Sequence, residues 1–400
     1  MQAAIAEPRL GKALRGWTSA QGRSLLGACI AHTLHDGYTD LLYVLLPLWQ
    51  TEFGLSYSGL AAVRCLYSGT MGGLQIPGDR LIRPLGSRVA LVCATVVAAS
   101  GFLTMALSHS FTGLCVGLVL AGVGSSVQHP RGSVLVTQAY GSAARAPLGI
   151  YNFAGDLGKA IFPALVALLV TTMAWRPAVG LMALIGLLVA LALLPVLPRQ
   201  AYEAPAEERH RARTGGGSGF ALLLMVGALD TATRMGYLLF LPFLLHAKGG
   251  GQASVGFGLA ALFIGGALGK AACGWLGGRL GVVWSVIATE AVTACLIIAS
   301  LPLSLGPTMV LLPLLGIVLN GTSSVLYGTV PELAPKGDSG RAFAIFYTGV
   351  IGSGALAPIA YGALADHAGQ TVGVIAAGLT ALATVPMILG LRHRLGGTSG

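Results

Sequence analysis

Asp36-Gly-Tyr-Thr39-Asp-Leu-Leu-Tyr43 is echoed 194 positions later by Asp230-Thr-Ala-Thr233-Arg-Met-Gly-Tyr237. Working outward, Gly69, Gly73, Gly78 and Arg83 return as Gly265, Gly269, Gly274 and Arg279, an offset of 196. Ser125, Ser126 and Val127 return as Ser323, Ser324 and Val325 at 198, and Arg145, Tyr151 and Gly158 return as Arg341, Tyr347 and Gly354 at 196. Chance seldom keeps four matches in order at a nearly constant spacing, even in a chain rich in Ala, Gly and Leu. The chain is a duplication, and a duplicated membrane bundle places its working site between the copies.

Composition says why membrane is the right word. Charged residues make up 10% of the 400 positions, hydrophobic residues 54%, and Gly occurs 59 times. A soluble chain of this length carries far more surface charge. Apolar runs near 20 residues cross the hydrocarbon core as helices, and the sequence predicts spans at 24–49, 57–79, 88–108, 111–138, 146–171 and 176–197. The second copy predicts 219–246, 253–279, 281–302, 307–331, 338–364 and 370–392. The runs are continuous rather than alternating, which excludes a β-barrel. The expected fold is an all-α membrane protein, twelve transmembrane helices in two pseudo-symmetric six-helix bundles.

The excess of basic residues, +10 in formal charge, does not point to nucleic acid, because it is distributed by side. With the N-terminus cytoplasmic, predicted cytoplasmic segments hold Arg9, Lys12, Arg15, Arg23, Arg80, Arg83, Arg88, Arg145, Arg199, Arg209, Arg211, Arg213, Arg279, Lys336, Arg341, Arg392 and Arg394. The opposite side holds only Arg176 and Lys248. This positive-inside bias predicts a multi-pass protein with both termini in the cytoplasm.

One composition break divides the chain. Pro198 to Gly219 carries Glu203, Glu207, Glu208, Arg209, Arg211 and Arg213 and then a Gly/Ser run, the composition of a flexible linker. The expected organisation is a cytoplasmic segment 1–23, a bundle 24–197, a linker 198–218, a bundle 219–392 and a tail 393–400. Helix 1 reads as an uncleaved membrane entry. Cys29, Cys65, Cys93, Cys115, Cys273 and Cys295 form no CxxC pair and read as small apolar packing residues. Gly69 with Gly73, and Gly265 with Gly269, are spacings that let helix backbones approach.

The loop after the eighth predicted helix, Gly274-Trp-Leu-Gly-Gly278-Arg279-Leu-Gly281, resembles the major facilitator loop motif G-x-x-x-D-R-x-G, with Gly278 in the acidic place. The loop after helix 2 keeps Gly78 and Arg83, has Ile82 in the acidic place, and moves its last glycine to Gly86; Asp79 is the acid at hand. His35-Asp36 followed by Pro47, and Gly124-Ser-Ser-Val-Gln128-His129-Pro130, resemble the fosmidomycin-resistance-type exporters of that superfamily. Arg131 departs from the pattern, which tends to an acid there. The resemblance implies the major facilitator fold, a cavity lined by helices 1, 4, 7 and 10, and export by proton antiport from a bacterial inner membrane, as in efflux and drug resistance.

Charges at bilayer depth cost several kcal/mol and persist when paired, hydrated or functional. Asp36, Asp40, Asp156, Asp230 and Glu290 stand against Arg64, Arg131, Lys159, Arg234 and Lys270. Helical spacing aligns His32, Asp36, Asp40 and Tyr43 on one face, and Asp230, Thr233, Arg234 and Tyr237 on another. Asn152, Asp156, Lys159 and Pro163 make a third stripe, and Arg64 aligns with Ser68. A protonatable carboxylate suits coupling, so Asp36 and Asp40, with His32 and His35 beside them, are the expected proton-coupling residues. The expected substrate-binding residues are Arg64, Gln128, Arg131, Tyr151, Asn152, Asp156, Lys159, Asp230, Arg234, Tyr237, Asn320, Tyr327 and Tyr347, with Arg suited to anionic groups. The loop glycines Gly78 and Gly274, with Asp79, Arg83, Arg279 and Lys270, are the expected gating set. Glu290 reads as a structural partner in a peripheral helix, and His129 as a kink contact beside Pro130.

No cofactor or metal is expected; His32 and His35 flank Asp36, but no further clear ligand stands out to complete a metal site. Walker A, HExxH and GxSxG are absent, so an enzyme is not expected and uphill work must draw on an ion gradient. The reading is a monomeric secondary transporter in the lipid bilayer, working by alternating access on a small anionic or zwitterionic solute with the proton as coupling ion. Import of an organic anion or metallophore is the competing direction. A non-transporting receptor is the competing class.

Overall fold

The computed structural model describes residues 19–199, 217–335 and 339–392. Most of the expected linker and all of the expected tail lie outside the described residues, as do Arg9, Lys12, Arg15, Arg209, Arg211, Arg213, Lys336 and Arg394. The described residues are helical, with no β-strand among them. In chain order the helices are α1 (Ala20–Phe53), α2 (Tyr57–Gly73), α3 (Gln75–Ile82), α4 (Gly86–Leu107), α5 (Phe111–Tyr140) and α6 (Arg145–Leu169). There follow α7 (Trp175–Val196), α8 (Gly217–Ala247), α9 (Gln252–Ala299), α10 (Leu305–Thr329), α11 (Ser339–Ala368) and α12 (Gln370–Leu389).

Local chemistry sets the boundaries. Ser19 caps α1 by accepting from the Gly22 N–H, and Gly54 ends it in the left-handed region at φ 63°, its N–H returned to Gln50 O. The expected second span is two pieces: α2 stops at Gly73, and α3 begins beyond Leu74 where Pro77 has no N–H to carry the ladder through. The expected eighth and ninth spans run together as α9 and bend at Gly281, φ 74°, a conformation that favours glycine.

Ten stretches are long and apolar enough to cross a bilayer among the described residues. Neither α1 nor α2 is one of them by itself. The middle of α1 carries His32, His35, Asp36 and Asp40, and α2 has 17 residues.

Burial separates lipid-facing from central helices. In α7, Ala178, Val179, Met182, Ala183, Gly186, Ala190 and Leu193 are buried while Leu184, Leu188 and Leu191 are exposed, one apolar face to protein and one outward. In α1 the run Leu41 to Leu46 is buried all round, and so is Tyr237 to Leu241 of α8. The two helices that open the repeats are therefore the innermost, and their polar residues have only protein or an internal chamber to face.

Packing follows the duplication. Within the first copy α1 lies on α5 and α6, and α4 on α5 and α7; within the second, α9 lies on α10, and α8 on α11 and α12. Across the copies α6 meets α9, α2 meets α11 and α1 meets α8. A Cβ on Gly265 or Gly269 would stand 2.0 or 2.1 Å from a carbonyl oxygen of α10, so these glycines are what lets the two backbones touch. The first-copy pair behaves differently: Gly73 faces open space and Gly69 only Cys65 Sγ at 3.4 Å.

Candidate functional site

Asp36 sits halfway along the innermost helix, 5% exposed, and three cationic or protonatable groups converge on its carboxylate. His32 Nε2 lies 3.2 Å from Oδ2, one turn back on α1. His129 Nε2, from α5, lies 3.4 Å from Oδ1, and Lys159 Nζ, from α6, lies 3.3 Å from Oδ2. His32 Nδ1 stands 2.8 Å from the Tyr151 carbonyl oxygen, which can only accept, so that nitrogen carries a proton and Nε2 is the atom presented to Asp36. Tyr151 stacks on the same imidazole at 4.0 Å, and Gln128 Nε2 donates to its hydroxyl at 3.2 Å. Gly155 makes this possible: a Cβ there would meet Asp36 Oδ2 at 2.6 Å and His32 Nε2 at 2.7 Å.

The charges continue beyond Asp36 and cross between the copies. Lys159 Nζ is 3.6 Å from Asp156 Oδ1, and both Asp156 oxygens accept from Lys270 Nζ at 2.7 Å. The intrahelical spacing of Asp156 and Lys159 thus yields the looser contact, and the tighter partner comes from α9 of the other copy. Asp40, one turn beyond Asp36, has Arg64 Nη2 at 3.8 Å, and that guanidinium lies 4.1 Å over the Tyr43 ring. Arg234 is close enough to bear electrostatically on both Asp40 and Lys159.

In the second copy, Asp230 Oδ2 accepts from Ser323 Oγ at 3.0 Å, and Arg234 Nη1 donates to the same hydroxyl at 3.2 Å. The Asp230 and Glu290 carboxyl groups are neighbours that act on each other electrostatically, both side chains buried. Tyr327 lies against Phe346 and Tyr347, with ring centroids 5.2 and 5.1 Å away. Asn320 donates to Gly316 O at 3.3 Å and packs on Gly266 of α9.

Several sequence-nominated residues stand elsewhere. Arg131 is buried against Asp79, whose other oxygen takes Arg83 Nη2 at 3.0 Å; it belongs to the α3–α5 junction rather than to the Asp36 group. Asp79 therefore supplies the acid that the first loop motif lacks, from one turn before Arg83. In the second loop Arg279 lies over the Trp275 ring at 4.6 Å, and Gly274 faces open space. His35 is closed into a hydroxyl network, Nδ1 at 3.0 Å from Ser125 Oγ and Nε2 at 3.2 Å from Thr95 Oγ1. The Thr95 hydroxyl already donates to Leu91 O at 2.8 Å, so His35 Nε2 donates to it, and one ring proton satisfies both contacts. Tyr237 is fully buried, and Asn152 is exposed.

His129 is the residue whose part sequence reasoning missed. It lies 93 positions from Asp36 on a different helix, and only helix packing brings them together. It also completes a donor set: His32, Asp36 and His129 offer ligand atoms within 4.8 Å of one another, a geometry open to a transition-metal ion. Lys159 Nζ competes for that position at 3.3 Å from the same carboxylate.

Described residues that are helical, with apolar spans and a charged interior shared between duplicated halves, define a polytopic membrane protein. A family model described as Major Facilitator Superfamily matches residues 28–226 and again 221–398. The chain belongs to the Major Facilitator Superfamily, whose members are membrane transporters of small molecules rather than enzymes. It is 25% identical to the fosmidomycin resistance protein of Escherichia coli (strain K12), over 90% of this chain and 91% of that protein. It is also 25% identical to the uncharacterized MFS-type transporter YfnC of Bacillus subtilis (strain 168), over 88% of each. Among solved structures, a POT family transporter in complex with 5-aminolevulinic acid superposes with a TM-score of 0.76 at 15% identity, covering 93% of this chain and 96% of that one. A bacterial homolog of the human lysosomal transporter Spinster, inward-facing and unoccupied, gives 0.72 at 15% identity, covering 94% and 98%.

Proposed function

We propose that this protein is a proton-coupled secondary transporter that exports a small anionic or zwitterionic organic solute by alternating access. Twelve spanning helices form two six-helix bundles, α2 with α3 counting as one span and α9 as two. Both termini face the cytoplasm of a bacterium, the linker 198–218 joins the bundles there, and the protein acts as a monomer. The observation that carries the reading is the line of charge Asp36–Lys159–Asp156–Lys270, its carboxylates buried and its lysines partly exposed, which begins on α1 and ends on α9, in the other copy. A rocking motion of one copy against the other must stretch that line, so its charge state and the direction the site faces are tied together.

In this reading Asp36 is the proton-responsive group, with Asp40 beside it and His32 fixing the local proton. When Asp36 takes a proton, Lys159 loses its closest counter-charge and turns to an anionic solute or to Asp156. Arg64 and Arg234 supply further positive charge, and Tyr151, Gln128, Asn320, Tyr327 and Tyr347 supply polar and aromatic contacts. Arg131 serves the Asp79–Arg83 junction, the gating element on the side of the basic loops. Similarity to the E. coli fosmidomycin resistance protein supports export and makes fosmidomycin the first solute to try.

The test is flux in proteoliposomes of known protein orientation, with a pH gradient imposed in either sense. Export by antiport requires solute to move against its gradient only when protons enter from the side opposite the basic loops. Solute accumulating in the direction the protons move would make the protein a symporting importer, and flux indifferent to both gradients would remove proton coupling.

A further inference from the structure

We infer that Asp230 and Glu290 form a second proton-binding site, a carboxyl pair holding a single proton between α8 and α9. Its part in transport rests on the proton-coupled reading above; its existence does not. Two neighbouring carboxyl groups escape mutual repulsion only if one of them carries a hydrogen, and both side chains here are buried, 3% and 1% exposed.

The surroundings agree. From α8 the pair faces Arg234, whose Nη1 reaches Ser323 Oγ and whose Nε is buried and unpartnered. From α10 it faces Ser323, which donates to Asp230 Oδ2 at 3.0 Å, Thr322, whose hydroxyl donates to Thr289 Oγ1 at 2.8 Å beside Glu290, and Tyr327. The helix α12, packed on α8 and α9, contains no charged or titratable residue. One guanidinium against two carboxylates leaves a net negative charge in a buried place; one proton brings the group to neutrality.

The pair differs in kind from the Asp36 centre. Asp36 has the Lys159 ammonium at 3.3 Å as its counter-charge, whereas Asp230 and Glu290 have one guanidinium between them. Loss of that proton would hand Arg234 a second carboxylate and draw it from Ser323 and from the field of Asp40. A proton leaving the second copy is thereby communicated to the first.

Infrared difference spectroscopy on the reconstituted protein tests the site without any substrate. The wild type should show the C=O stretch of a protonated carboxyl group near neutral pH, removed by raising pH. Glu290→Gln and Asp230→Asn should each remove it, and Asp36→Asn should leave it. Glu290→Asp, which keeps a carboxyl group should Gln not be tolerated, should retain the band at a shifted frequency. A protonated-carboxyl band untouched by both Glu290→Gln and Asp230→Asn, or none in the wild type, would overturn the pair. Absence of driven flux with the band intact would count against the transport reading alone.

Discussion

Lys159 is the residue on which the Asp36 centre balances. Its side chain keeps 28% exposure while Asp36 keeps 6%, so the pair is neither surface nor core. Removing one partner of a fully buried pair costs roughly 3–5 kcal/mol; with partial solvent access the cost of Lys159→Met should be nearer about 2 kcal/mol. The double variant Asp36→Asn with Lys159→Met should recover part of that, because the uncompensated carboxylate is gone. Thermal unfolding in detergent reads both. A double variant no more stable than Lys159→Met would mean that the contact is not energetically coupled. At this scale the sequence was legible where spacing does the work: His32, Asp36 and Asp40 share a face because they are four residues apart. It was blind where packing does the work. Neither His129 on Asp36, nor Lys270 on Asp156, nor Glu290 on Asp230 follows from periodicity, since each joins helices tens of residues apart.

At the scale of elements, the repeated glycines divide into those that hold helices together and those that do not. Gly269→Ala should destabilise by about 1–3 kcal/mol, because its Cβ would stand 2.1 Å from the Ile317 carbonyl oxygen and α9 cannot yield without leaving α10. Gly274→Ala, in the same helix with open space around it, should stabilise by up to about 1 kcal/mol through helix propensity. Opposite signs in paired unfolding experiments are the expectation; a stabilising Gly269→Ala would contradict the packing assigned to α9 and α10. Sequence periodicity found nearly every helix here, because long apolar runs leave the chain little choice in lipid. It placed α2 and α3 in one span and put a boundary near Gly281, where α9 bends. The break at Leu74 was missed, since a proline within an apolar run is compatible with either a kink or a stop.

For the molecule as a whole, the contact between copies at the far end from Arg83 is the one most open to test. Asp366 of α11 caps the start of α2 across the interface: Oδ1 accepts from Tyr57 N at 2.7 Å, and Oδ2 from Ser58 N at 3.1 Å and Ser58 Oγ at 2.5 Å. An acid at a helix N-terminus is favoured by unsatisfied N–H groups and the dipole alike. Asp366→Ala should loosen this end and populate a form with α2 and α11 further apart, read as a longer component in electron-spin distance distributions between labels at the start of α2 and the end of α11. An unchanged distribution would remove Asp366 from any role in closing it.

The coupling assigned to Asp36 is reached most directly by comparing two fluxes in one variant. In proteoliposomes, Asp36→Asn should lose solute accumulation driven by a proton gradient yet retain solute-for-solute counterflow, since exchange needs the site but not the proton. Accumulation equal to the wild type in Asp36→Asn would contradict the account at its centre.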